Sequence, residues 1–122
     1  MYRLFIETHF AASHQLHGYN GPCKALHGHT WKVRVEIKTN LKNNIGISFD
    51  FKELKGITMS VIDRIDHCHI NDIPPFDKEN PTAENLAEYI FREVKGQLPP
   101  EARMSEVVIW ESAQYAVAYS EP

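Results

Sequence analysis

Five of the seven histidines, His9, His14, His17, His27 and His29, fall within the first 29 residues, beside Cys23, one of only two cysteines. Neutral imidazole is the commonest protein ligand for metals, and whether these rings can converge is decided by their spacing. His27-Gly28-His29 puts two rings at positions i and i+2, which a strand projects the same way, about 6 to 7 Å apart along the chain. The glycine between them leaves the opposite side unobstructed. His14 is in phase with Phe10 and Ala12, so antiparallel pairing through the intervening loop brings it beside the other two. Three imidazoles with no thiolate or carboxylate among them make a catalytic type of Zn2+ centre, its fourth position open to water or substrate. The same histidines also read as ordinary polar groups at a strand terminus.

Cys23 stands four positions before His27, in a loop rich in glycine, asparagine and proline. A thiol close to a dication ionises more readily, which suits a proton acceptor. A buried small hydrophobe is the blander account, and a disulfide to Cys68 a third, which a reducing compartment disfavours. Asp66-His67, at the end of a predicted helix, offers a carboxylate–imidazole dyad able to take up a proton or orient the thiol, though adjacent Asp-His pairs also arise by chance. His69 and Asp72 read as solvated loop residues, and His9 and His17 as surface groups. Glu111 shares strand parity with Val107 and Ile109, an acid on an otherwise apolar face. A buried carboxylate needs partners: two adjacent N–H groups of a planar ligand, or an arginine on a neighbouring strand.

These groups must be carried by elements. Residues 2–14 alternate cleanly, with Leu4, Ile6, Thr8, Phe10, Ala12 and His14 on one face; residues 27–38 alternate likewise, from His27 through Trp31 and Val35 to Ile37. Phe51, Leu54, Ile57, Val61, Ile62 and Ile65 recur at helical spacing behind Asp50 as cap, predicting a helix that ends near Asp66. A proline-bearing connector over residues 71–81 leads to Thr82, which caps a second helix with the stripe Leu86, Ile90, Val94 and Leu98, closed by Gly96, Pro99 and Pro100. Strands are predicted over 105–112 and 115–119, with a tight turn at Ala113-Gln114. The order β-β-α-α-β-β predicts an α+β domain over residues 1–122: an antiparallel four-stranded sheet with both helices on one face. Its two edges are open, and Trp31, Trp110, Tyr115 and Tyr119 would make its uncovered face too apolar for water. Assembly of several chains into a barrel would resolve both.

Composition narrows the function. The chain has 122 residues, with 13 basic against 16 acidic side chains and a formal net charge of −3. No block of basic residues suggests a nucleic-acid or membrane-surface partner. No apolar stretch approaches the ~20 residues of a membrane span, and nothing at the N-terminus reads as a secretory leader, so a cytoplasmic address is expected.

Taken together, Phe10-Ala11-Ala12-Ser13-His14, Cys23-x3-His27-Gly28-His29, Asp66-His67, Pro81-Thr82-Ala83-Glu84-Asn85-Leu86-Ala87 and Glu111-Ser112 resemble the 6-pyruvoyl-tetrahydropterin synthase family across nearly the whole chain. The Cys23-to-His27 interval and the short chain are similar to its bacterial branch, 6-carboxy-5,6,7,8-tetrahydropterin synthase of queuosine (7-deazaguanine) biosynthesis. The pyruvoyl-forming branch has a longer interval there and an asparagine where this chain has Thr30. The resemblance implies that His14, His27 and His29 hold Zn2+, that Cys23 is the catalytic base assisted by Asp66 and His67, and that Glu111, with Thr82, binds the pterin. It implies the tunnelling fold, in which a trimer closes a twelve-stranded barrel and two trimers stack into a hexamer, with active sites between subunits. The implied reaction converts 7,8-dihydroneopterin triphosphate to 6-carboxy-5,6,7,8-tetrahydropterin with release of acetaldehyde and triphosphate. Lys24, Lys32 and Arg34 are candidates for the triphosphate. Cys68-His69 departs from the family pattern. Competing readings are a pyruvoyl-forming synthase, a zinc hydrolase, and a non-catalytic module in which zinc ties two strands together.

Overall fold

The computed structural model describes residues 1–18 and 27–122, His27 by its backbone alone. Cys23, Lys24 and the His27 ring, all expected at the site, lie outside the described residues.

The architecture starts from a long antiparallel ribbon. β1 (Tyr2–His14) pairs with β2 (His27–Thr39) in unbroken one-to-one register, from Tyr2 opposite Thr39 to His14 opposite His27. Alternation predicted from sequence holds throughout: Phe10, Ala12 and His14 are buried, as are Trp31, Val33, Val35 and Ile37. β2 pairs antiparallel with β4 (Arg103–Trp110), and β4 antiparallel with β5 (Ala116–Tyr119).

The sheet differs from expectation by one strand. Cys68–His69 forms β3, which runs parallel to β1 with Cys68 opposite Ala12 and Ser13 opposite His69. The sheet is therefore five-stranded and mixed, in the order β3-β1-β2-β4-β5, where four antiparallel strands were predicted. Two residues are too few for a periodic signal, so the strand is recognised only through its partner. His69, expected in a solvated loop, belongs to this strand.

Two helices cover one face. α1 (Phe51–Ile62) begins where the Asp50 side chain accepts a hydrogen bond from the Lys52 amide, and it buries Leu54, Thr58, Val61 and Ile62. It stops at Ile62, a turn short of Asp66. Amides of Ile65 and Asp66 both bond back to the Ile62 carbonyl, and His67, at φ +57°, cannot extend a right-handed helix. α2 (Ala83–Lys95) starts at Thr82, whose hydroxyl accepts from the Asn85 amide, and buries Leu86, Ile90 and Val94 as predicted, with Ala87 and Phe91 beside them. It ends at Gly96. α1 packs on β1 and α2, and α2 on β4 and β5.

Of the four aromatic residues expected on the uncovered face, Trp110 lies there and Tyr115 is exposed, but Trp31 and Tyr119 turn into the core. Trp31 follows the parity of His29 and Val33 into the covered core and is fully buried, and Tyr119 meets Phe91 of α2 edge to face at 5.0 Å. The open face also carries a charged group on β1 and β2. Glu7 accepts from Arg34 Nε at 2.8 Å and lies 3.3 Å from Lys32 Nζ. Both cations lie over the Trp110 ring, Lys32 at 4.7 Å and Arg34 at 5.8 Å from its centroid. Hydrogen bonds from Arg34 and then Lys32 hold the Glu7 carboxyl below its ordinary pKa. Among the described helices none is long and apolar enough to cross a membrane.

Candidate active site

The one-to-one ribbon decides where the histidines meet. Ala12 stands opposite His29, so His14, two residues along β1, is the diagonal neighbour of His29 on the same face. Their rings meet edge to face at 5.1 Å between centroids. Trp31, the next residue of that face on β2, makes T-shaped contacts with both, 5.0 Å from His14 and 5.2 Å from His29, and is itself stacked on Phe10. The site thus has an aromatic wall that holds two imidazoles by packing.

Tautomer is set from outside the sheet. His14 is fully buried, and its Nδ1 lies 2.8 Å from the Pro81 carbonyl, in the segment that enters α2. A carbonyl only accepts, so Nδ1 carries a proton and Nε2, directed toward His29 and Glu111, is the ring atom that would face an ion. Nothing in the sequence marks this contact across 67 residues.

Glu111 completes the group. β4 ends at Trp110, one residue before it, and the Glu111 amide bonds to the Tyr115 carbonyl in the turn toward β5. Its side chain nonetheless reaches the face it shares by parity with Ile109, where His14 and His29 lie. Its carboxylate lies 3.2 Å from His29 Nε2 and 3.8 Å from His14 Nε2. Ligand atoms of His14, His29 and Glu111 all lie within 4.8 Å of one another, a donor set of two imidazoles and a carboxylate that fits a divalent ion. Among the described residues Glu111 faces these two imidazoles, where an arginine had been considered.

Asp66 and His67 do form a dyad. Asp66 Oδ1 is 2.8 Å from His67 Nδ1 and also accepts from the Ala11 amide at 3.0 Å, while the His67 amide donates to the Ala11 carbonyl. Main-chain bonds to β1 thereby hold His67 in its left-handed conformation. The ring itself is 81% exposed, in contrast to buried His14. His69 Nδ1 lies 3.0 Å from Ser13 Oγ, a pairing the sequence did not suggest. His67, His69, Ser13 and Gly28 line an open groove of about 560 Å³ that also reaches His29. Thr82 is half-buried and caps α2, next to the Pro81 carbonyl. Lys32 and Arg34, candidates for an anion, are engaged by Glu7 on the open face.

Known proteins resemble this chain in sequence and in fold. The family model for 6-pyruvoyl tetrahydropterin synthase matches residues 3–122. A 6-carboxy-5,6,7,8-tetrahydropterin synthase of Synechocystis is 32% identical, covering 100% of this chain and 95% of that protein. The dihydroneopterin monophosphate aldolase of Pyrococcus furiosus is also 32% identical, over 75% of each chain. In fold, the 6-pyruvoyl tetrahydropterin synthase of Caenorhabditis elegans superimposes with a TM-score of 0.88 at 24% identity, covering 99% of this chain and 96% of that one.

Proposed function

This chain belongs to the 6-pyruvoyl tetrahydropterin synthase family, and from that premise we propose that it is a zinc-dependent lyase. Its reaction converts 7,8-dihydroneopterin triphosphate to 6-carboxy-5,6,7,8-tetrahydropterin, acetaldehyde and triphosphate, with one water taken up, in 7-deazaguanine biosynthesis. The observation that carries this reading is the convergence of His14, His29 and Glu111 behind a His14 ring whose Nδ1 is committed to the Pro81 carbonyl.

His14 and His29, joined by His27, would hold the ion. Bound there, Zn2+ supplies Lewis-acid polarisation of a substrate side-chain hydroxyl. Cys23 is assigned the removal of the carbon-bound proton, and the Asp66–His67 pair its onward transfer. His67 is well suited to this, because Asp66 fixes one ring nitrogen and the exposed ring leaves the other facing solvent or a neighbouring molecule. His14 is fully buried on the covered face, whereas the groove that His67 lines also takes in Ser13 and Gly28, which have the opposite parity. A dyad supplied across a subunit contact is therefore the arrangement we favour, within a hexamer of two barrel-forming trimers. Glu111 accepts two adjacent N–H groups of the pterin, a bidentate grip that orients the ring. Thr82 contributes a second substrate contact at the head of α2.

Incubation of the purified protein with dihydroneopterin triphosphate, followed by assay of acetaldehyde and triphosphate, tests the proposal. Both products are expected in equal amounts. Triphosphate without acetaldehyde would identify a pyruvoyl-forming synthase. Neither product, from a zinc-loaded protein, would sink the assignment. Product analysis is decisive because relatives of similar identity include an aldolase as well as a carboxytetrahydropterin synthase.

A further inference from the structure

The chain leaving β1 is gripped twice by carboxamides of the connector between β3 and α2. Asn71 accepts from the Gln15 amide and donates to the Gln15 carbonyl, both at 2.9 Å. Asn80 repeats the arrangement on His17, accepting from its amide at 2.8 Å and donating to its carbonyl at 2.6 Å. A carboxamide offers a donor and an acceptor side by side, as a peptide group does, so each asparagine stands in for one residue of a paired strand. Two bonds to one residue fix orientation as well as distance. Aspartate, which lacks the donor, and alanine, which lacks both groups, cannot reproduce this.

The two grips lead to different parts of the site. Asn80 directly precedes Pro81, whose carbonyl fixes His14 Nδ1, and its own carbonyl is held from the other side by Asn85 Nδ2 at 2.8 Å. The position of the Pro81 carbonyl is thus set between His17 and α2. Asn71 follows β3 and holds Gln15, one residue beyond His14. With the Ser13–His69 contact and the Ala11 bonds to Asp66 and His67, it completes a row of contacts that keeps the dyad segment in step with β1.

We propose that Asn71 and Asn80 are positioning residues: Asn80 tunes the ion affinity of the His14 centre through the Pro81 carbonyl, and Asn71 holds the Asp66–His67 dyad in register. The inference rests on the zinc-dependent reading of the site. A ligand imidazole loses affinity when its outer partner is lost, by about 10- to 100-fold for direct partners. Asn80 acts one residue removed and should lie at the lower end of that range.

The experiment compares full-length Asn80→Ala, Asn80→Asp and Asn71→Ala with the native chain. Zinc affinity is measured by competition with a chromophoric chelator, thermal midpoint without metal, and kcat and KM with dihydroneopterin triphosphate. Asn80→Ala should bind zinc about tenfold more weakly, and Asn80→Asp, which keeps the acceptor for the His17 amide, between Ala and native. Asn71→Ala should bind zinc within about twofold of native while kcat falls about tenfold or more at near-constant KM. Should Asn80→Ala fail to fold, Asn80→Asp carries the measurement. Native-like zinc affinity in the Asn80 variants overturns the inference alone, as does an equal loss of zinc in Asn71→Ala, which would mark both residues as merely structural. A native chain that takes up no zinc overturns the functional reading, and this inference with it.

Discussion

Glu111 is the residue at which two roles compete, because its carboxylate lies within reach of both histidine Nε2 atoms and is also the group proposed to bind the pterin. Glu111→Gln separates them. Gln keeps the shape and one acceptor but cannot receive two N–H groups as a carboxylate does. Zinc content should stay at the native level while KM for the pterin substrate rises about tenfold or more, the loss expected for a charged hydrogen bond; loss of zinc would make Glu111 a ligand. Cys23 makes a parallel case. Cys23→Ala should retain zinc, measured by elemental analysis, and lose about 10²- to 10⁴-fold in kcat, the range for a general base. Turnover surviving that substitution would revive the reading of a hydrolase that uses a metal-bound hydroxide. His14→Ala should lose zinc outright, because it removes the ring and leaves the Pro81 carbonyl buried without its donor.

Helix α2 joins stability to the site through its first residues. Thr82 satisfies the Asn85 amide, and the preceding Pro81 carbonyl satisfies His14. Thr82→Ala should lower stability by about 1 kcal/mol, seen as a reduced urea midpoint at unchanged m-value. If Thr82 also contacts substrate, KM rises at the same time; an unchanged KM would restrict it to capping. Much of this layer was legible in the sequence. The stripe Leu86, Ile90, Val94 and the cap residues Asp50 and Thr82 follow from helical spacing and hydrogen-bonding capacity, both local properties. The end of α1 was not legible, because Ile65 continues the apolar rhythm and is buried, yet is reached by a turn rather than by helix. Docking of His67 onto Ala11 stops the helix, and that partner lies on another element.

At the scale of the whole molecule, the open face and the sheet edges govern behaviour. β3 pairs with β1 only at Ala12 and Ser13 among the described residues, and β5 is a short edge strand of four residues, so both margins present backbone groups to a neighbour. Sedimentation should find a hexamer, and a monomer that remains fully active would exclude a dyad supplied between subunits. Acid should act on the open face through Glu7. Its pKa is depressed in the folded chain by Arg34 and Lys32, so its stabilising contribution is complete above the ordinary carboxylate pKa and is lost as pH falls through the depressed value. Glu7→Gln should therefore flatten the decline of the thermal midpoint between about pH 5 and about pH 3, with only a small effect at neutral pH, where exposed ion pairs contribute little. A wild-type acid limb left unchanged by the substitution would place the acid-sensitive group elsewhere.

The sequence by itself determined the faces: in a strand each side chain's direction follows from its own backbone, so the phase of His14 with Ala12, of His29 with Trp31, and of Glu111 with Ile109 could be counted along the chain. It also carried the family motifs. Tertiary structure alone decided which faces meet. The parallel contact of Cys68–His69 with β1, the burial of Trp31 behind the two imidazoles, the Pro81 carbonyl on His14 and the approach of Glu111 to His29 each join residues far apart in sequence. Such contacts leave no periodicity in either segment, because each partner is an unremarkable residue until the fold sets it beside the other.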